Sequence, residues 1–351
     1  VLNRTVPTHA TTLNSWAGYG PWTALPPYDE TFRILDVELR IATDDGALLG
    51  EFATIFGGDR AASRPSRASF RATVEASESS DQGRFRVEGD ALADPAAFLL
   101  GFASPTIPLR AMPNAGSDAV SLVGLEGDEE PIFGFRGDDC LFRKVPRWRR
   151  IVSHFLFLRL LRLRADLLFF HAASVGIAGN GLLLMGPKGA GKSTVSAAVA
   201  ARGHDFLGDE TAAYQPSSRL LLPFRRPLGI KPGPRSALLE QKVRALQPTA
   251  DEDGLLRIPV DALFPEPEVP PVPLRAVCFL DGFGTKPELV ATPGGRDELA
   301  RMQPLASSLG QGTTSCVFEM IRLLGGAACY RLRPGDPDET AALLEEAFTR
   351  S

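Results

Sequence analysis

The chain has 351 residues, enough for about two domains of ordinary size. Hydrophobic residues make up 44% and charged residues 23%, the balance of a globular protein with a sizeable core. A net charge of −4 argues against a general nucleic-acid binder, which carries an excess of Lys and Arg.

Residues 1–150 read as a β-rich domain. The opening stretch, residues 1–16, carries no apolar core and is expected to be a loose arm, with no signal peptide. In "DVELRIA" Val37, Leu39 and Ile41 alternate with Glu38 and Arg40, the period of a half-buried strand. "TFRIL" alternates in the opposite phase, so a bulge or break is expected near Leu35 and Asp36. "SFRATVEA" and "GRFRVEG" repeat the pattern, with Phe70, Ala72, Val74, Phe85 and Val87 facing inward. The polar stretches between them are connectors.

Residues 141–165 hold eight basic residues and no acid. Phe155, Leu158 and Leu161 recur every three residues, which suits an amphipathic helix. Its arginines read as snorkelling over a core, or as a basic face for an anionic partner segment.

Residues 151–351 are expected to form the second domain, and from His171 the texture becomes α/β. Residues 167–187 lack a formal charge and are long enough to span a bilayer. The "AGNG" turn in their middle makes two buried strands the better reading, so no membrane span is expected. A helix is expected over residues 191–202, stopped by Gly203. "HDFLGDE" reads as a short strand that "TAAYQ" continues, residues 234–245 as a helix, and "LRAVCFLDGF" as a buried strand. "TTSCVFEMIRLL" reads as a helix, "AACYRLRPG" as an edge strand and "DPDETAALLEEAF" as a final helix. Cys140, Cys278, Cys316 and Cys329 form no Cys-x-x-Cys pair and read as buried, reduced thiols of a cytoplasmic protein.

Gly186, Gly191, Lys192 and Ser193 fit the phosphate-binding pattern G-x-x-x-x-G-K-[ST] without a mismatch. Glycines let backbone N–H groups turn toward an anion, and the following helix adds the positive end of its dipole. The stretch Gly186, Pro187, Lys188, Gly189, Ala190, Gly191, Lys192, Ser193 and Thr194 is therefore expected to cradle the phosphates of ATP. Lys192 would reach the β- and γ-phosphates, and the Ser193 hydroxyl would hold Mg²⁺.

Asp209 and Glu210 end the next strand, 17 residues beyond Lys192. Strand ends on one edge of an α/β sheet gather at the ligand crevice, which would put Asp209 near the γ-phosphate. There an acid can take the proton of an acceptor hydroxyl or help hold Mg²⁺. The bland alternative is a solvated acid pair. Asp281, ending "AVCFLD", is a second metal candidate or simply a strand end before a turn. His171 starts the strand that leads to the loop. By itself it reads as a satisfied core histidine.

The order histidine, strand hairpin, P-loop, helix closed by Gly-His and paired acids, in residues 171–210, resembles the catalytic domain of the HPr kinase/phosphorylase family. It is more similar still to HPr-kinase-related accessory kinases, some of which phosphorylate serine on precursor peptides. "PFRRPLGIKPG" and the C-terminal stretch add to the likeness. The resemblance implies a mixed sheet flanked by helices, preceded here by a β-rich domain that could recognise the acceptor. It implies ATP and Mg²⁺, with Asp209 drawing the proton from a serine hydroxyl and His171 tuning the acid pair. Ser193, Asp209 and Glu210 would hold the metal, and Arg226, with Lys231 beside it, would contact phosphate or acceptor. It also implies a homo-oligomer. Two positions depart from the family: Glu210 replaces an aspartate, and Phe224 stands where the family carries an acid two residues before its arginine. The family's reverse, dephosphorylating activity is therefore not carried over.

The leading expectation is a kinase for a peptide or protein serine, with free serine or another alcohol as an alternative acceptor. An ATPase or nucleotide switch without an acceptor would use Asp281 for metal and Glu210 to position water. A peptide-binding module that only senses ATP is the third reading.

Overall fold

The computed structural model describes residues 22, 26–57, 66–78, 80–89, 92–100, 109–113, 121–230, 237–248, 254–265, 269–307 and 313–349. The expected N-terminal arm and Lys231 lie outside the described residues. The chain divides into two compact units: residues 1–53 with 59–163, and residues 54–58 with 164–351. Residue 150, the expected boundary, falls inside a helix.

The first unit carries the strands β1 (Tyr28–Ile34), β2 (Val37–Thr43), β3 (Ala68–Glu75), β4 (Gln82–Glu88), β5 (Leu109–Met112), β6 (Ser121–Leu125), β7 (Phe133–Arg136) and β8 (Asp139–Arg143). They form one sheet in the order β1-β2-β3-β4-β8-β7-β6-β5. β1 and β2 pair as a hairpin with Ile34 opposite Val37. Leu35 and Asp36 both have positive φ, 50° and 63°, so the phase change there is a two-residue turn rather than a bulge.

β2 and β3 are parallel, and a parallel pair needs a crossover. Helix α1 (Gly46–Phe56) supplies it, and the Asp45 carboxylate caps its start by accepting from the Leu48 N–H at 3.1 Å. The inward residues Phe70, Ala72, Val74, Phe85 and Val87 are all buried. Helix α2 (Pro95–Leu100) is short. Helix α3 (Trp148–Arg162) is buried from Ile151 to Ser153 and again from Phe155 through Leu161, on every side rather than along one stripe. Its Arg159 is fully buried, 3.4 Å from Asp138, so this arginine is neither snorkelling nor presented to a partner.

The second unit carries β9 (Leu168–Phe170), β10 (Ala172–Ile177), β11 (Asn180–Met185), α4 (Lys192–Ala201), β12 (Asp205–Gly208), β13 (Ala212–Gln215), β14 (Leu220–Leu222), β15 (Leu228–Ile230), α5 (Ala237–Leu246), β16 (Leu256–Ile258) and α6 (Val260–Leu263). Then come β17 (Val272–Leu280), β18 (Glu288–Thr292), α7 (Arg296–Met302), β19 (Ala306–Ser307), α8 (Thr313–Gly326), β20 (Ala328–Arg333) and α9 (Pro337–Thr349).

The large sheet is mixed. β11, β17 and β20 are parallel, while β10 and β12 continue it antiparallel beyond β11. Strands β14, β13, β9 and β19 branch from the start of β17. β18 lies outside β20, so "AACYRLRPG" is an inner strand rather than the expected edge.

Helices cover both faces of this sheet. Leu182, Leu184, Ala276 and Cys278 pack with Val195 and Ala198 of α4 and Leu344 of α9. Leu183, Met185, Val277 and Phe279 pack on the other side with Met320 and Leu323 of α8. Cover on both faces explains the uninterrupted apolar run over residues 167–187. Among the described residues no helix is long and apolar enough to cross a membrane. All four cysteines are buried and free.

Candidate active site

The glycine loop joins β11 to α4, the strand-to-helix setting its pattern demands. Gly189 and Gly191 have φ of 87° and 94°, values that side chains rarely adopt. Pro187, Lys188 and Gly189 are exposed at the crest, and Ala190 is buried beneath it. The Lys192 ammonium turns back and donates to the carbonyls of Gly186 and Pro187 at 2.7 and 3.1 Å. A helix N-terminus and a buried ammonium thus meet at one glycine-rich loop, which suits a polyphosphate.

β12 delivers the acid pair. It pairs with β10, which pairs with the P-loop strand, so Asp209 approaches from that side of the loop. Gly208 makes the approach possible. A Cβ there would sit 2.9 Å from the Phe224 carbonyl oxygen, and the Phe224 N–H donates to the Leu207 carbonyl at 2.6 Å. Phe224 is itself buried, so the position that carries an acid in the resembling family is part of the core here.

Asp209 is 5% exposed and feels both Ser193 and Lys192 of the loop. The Ser193 side chain lies near enough to favour the ionised carboxylate, while Oδ1 is buried with no hydrogen-bond partner among the described residues. Burial first, and then the neighbouring Glu210 charge, push the Asp209 carboxyl up to about 6; Ser193 and Lys192 pull in the opposite direction. An orphaned, desolvated carboxylate oxygen beside a phosphate cradle is poised to accept a proton or a cation.

Glu210 adopts φ of 60°, a strained value for a residue with a side chain. Its carboxylate lies 3.6 Å from the Arg226 guanidinium. Its carbonyl accepts from Nδ1–H of His171 at 3.1 Å, so the neutral ring carries its proton on Nδ1. Desolvation first, then the Lys192 charge, hold the His171 pKa below its ordinary value, so the ring is neutral at pH 7. Arg226 is buried and donates to the Thr211 hydroxyl at 3.0 Å, with its guanidinium over the Phe56 ring. Burial lowers its pKa, but an arginine stays charged.

The structure therefore gathers Lys192, Ser193, Asp209, Glu210, His171 and Arg226 around one loop. Glu210 faces Arg226 rather than the Ser193–Asp209 pair. Sequence reasoning missed Arg257, which lies opposite Gly229 in the antiparallel β15–β16 pair and whose charge is felt by Arg226. Asp281 is held by Arg331 at 3.3 Å and Arg301 at 3.5 Å. A cavity of about 410 Å³ between α7 and the sheet includes no P-loop residue.

Among the described residues no group of three His, Cys, Asp or Glu side chains could hold a metal by itself. Magnesium in nucleotide sites needs less, one or two protein oxygens plus substrate phosphates. The Ser193 hydroxyl and one oxygen of the Asp209 carboxylate fit that requirement and leave the other oxygen for a proton.

No protein-family profile matches the chain, and no curated protein matches it. Among solved structures, the Hpr(Ser) kinase/phosphatase from Coxiella burnetii aligns over 52% of this chain and 93% of its own, at 15% identity and a TM-score of 0.25.

Proposed function

We propose that the chain is an ATP-dependent phosphotransferase of the HPr kinase type, with an alcohol as acceptor and a peptide or protein serine as the favoured one. The observation that carries this is the Asp209 carboxylate, buried beside the P-loop serine with one oxygen unclaimed.

Phosphoryl transfer depends mainly on positioning and charge stabilisation. Lys192 and the loop amides would bind and orient the phosphates. Ser193 and Asp209 would hold Mg²⁺, which when bound neutralises phosphate charge. The acceptor oxygen bonds to the γ-phosphorus as the bond to the β-phosphate bridging oxygen breaks, and ADP leaves. The hydroxyl proton passes to Oδ1 of Asp209, whose raised basicity suits a general base near neutral pH. His171, through the Glu210 carbonyl, would fix the strained backbone of the acid pair. Arg226, and Lys231 nearby in sequence, would face phosphate or acceptor, with Glu210 held by Arg226. The β-rich unit would recognise the acceptor.

The acceptor-free ATPase needs Asp281 for metal, and two arginines already engage that carboxylate. The test is transfer from γ-labelled ATP to a panel of a serine peptide, free serine and a polyol, with Lys192→Ala as the blank. Label in an acceptor supports the kinase. Steady phosphate release that no acceptor diverts supports the ATPase.

A further inference from the structure

Phe283 is the most exposed of the large apolar side chains among the described residues, at 66%. It is not on a wandering loop. The Asp281 N–H donates to the Leu332 carbonyl at 2.9 Å, and the Gly284 N–H donates to the Pro334 carbonyl at 2.8 Å. Arg301 and Arg331 grip the Asp281 carboxylate on the same turn. The turn is thereby tied at both ends to the tip of β20, with Phe283 at its crest.

What it overhangs is the P-loop. A Cβ placed on Gly191 would lie 3.2 Å from Cε1 and 3.6 Å from Cζ of the Phe283 ring. Exposing an aromatic ring forgoes apolar burial, and pinning one beside a phosphate cradle needs a reason.

The sheet order gives one. Strand β11 feeds the P-loop, with β10 and β12 on one side and β17 on the other. Asp209 arrives from the β12 side, where the proposed reaction puts the γ-phosphate. A nucleotide whose terminal phosphate points toward β12 runs its ribose and base in the opposite direction, toward the end of β17. Phe283 stands there, three residues beyond Leu280.

We propose that Phe283 is a stacking platform for the base of the bound nucleotide, an inference that rests on the P-loop being a nucleotide site. Every nucleobase offers a π-face, so the platform takes ATP and GTP alike and contributes affinity rather than base selectivity.

The test uses the full chain and three ligands, ATP, GTP and inorganic tripolyphosphate, by isothermal titration calorimetry. Loss of one base–aromatic stack should weaken ATP and GTP about tenfold in Phe283→Ala while leaving tripolyphosphate unchanged. Phe283→Trp should keep ATP affinity, and its indole emission should change with ATP but not with tripolyphosphate. Unchanged ATP affinity in Phe283→Ala overturns the platform and leaves the nucleotide site standing. Equal loss for ATP and tripolyphosphate also overturns it, since the ring would then only support the loop. If the wild-type chain binds none of the three, the nucleotide reading itself fails and takes the platform with it.

Discussion

Replacing Asp209 with asparagine should stabilise the protein at neutral pH. Burial and the Glu210 charge raise the carboxyl from 3.8 to about 6. Between those values the native protein holds a proton that the unfolded chain has lost, so stability falls as pH rises through the window. At about 1.4 kcal/mol for each pH unit, the ionised carboxylate costs the fold about 3 kcal/mol above pH 6. That contribution is intact below pH 3.8 and gone once the pH has passed about 6. Asparagine has nearly the same shape and does not ionise. Equilibrium urea unfolding at pH 4, 5, 6, 7 and 8 should therefore show the variant gaining on the wild type up to about pH 6 and holding a constant lead above it. A difference that stays flat from pH 4 to pH 8 would refute the reasoning, because the carboxylate would then sit in ordinary solvent.

Lys192→Ala removes an ammonium that closes the loop onto the Gly186 and Pro187 carbonyls, and calorimetry should show ATP binding weakened roughly 100-fold, the scale of a lost charge-assisted hydrogen bond or two. Gly208→Ala puts a methyl 2.9 Å from the Phe224 carbonyl oxygen and should cost about 1–3 kcal/mol in urea unfolding, since backbone rather than a flexible side chain must yield. Phosphate transfer should rise with pH through about 6 and then level, because the base works only when ionised; a rate flat from pH 5 to pH 8 would speak against Asp209 as the base.

The P-loop was legible because its chemistry is contiguous. Nine residues carry the bend, the N–H groups, the lysine and the hydroxyl, and the strand and helix around them follow from simple periodicity. The Asp209 environment was not. Nothing in "FLGDE" tells that Phe224 lies beside Gly208, or that the two together take the acid out of water. Arg226 was visible as a cation, but its burial against Thr211 and Phe56 depends on segments distant in sequence.

The first unit shows the same limit. The Asp45 cap and the apolar run of α1 are present in the sequence, but a short apolar run reads equally as strand or helix, and only the parallel pairing of β2 with β3 demands a crossover there. Helix α3 has its arginines at positions that look like a polar face, and only the fold reveals that Arg159 is buried against Asp138. The turn at Leu35 and Asp36 resembled a bulge because a phase change and a two-residue hairpin leave the same trace in alternation.

The most direct measurement is single-turnover transfer of the γ-phosphate from saturating ATP to the best acceptor of the panel, for the wild type and Asp209→Asn, with ATP affinity measured separately. The expected result is near-equal ATP binding and a transfer rate lower by about 100- to 10,000-fold in the variant, the range for loss of a general base. Transfer at the wild-type rate by Asp209→Asn would contradict the assignment of the base and, with it, the proposed use of the site.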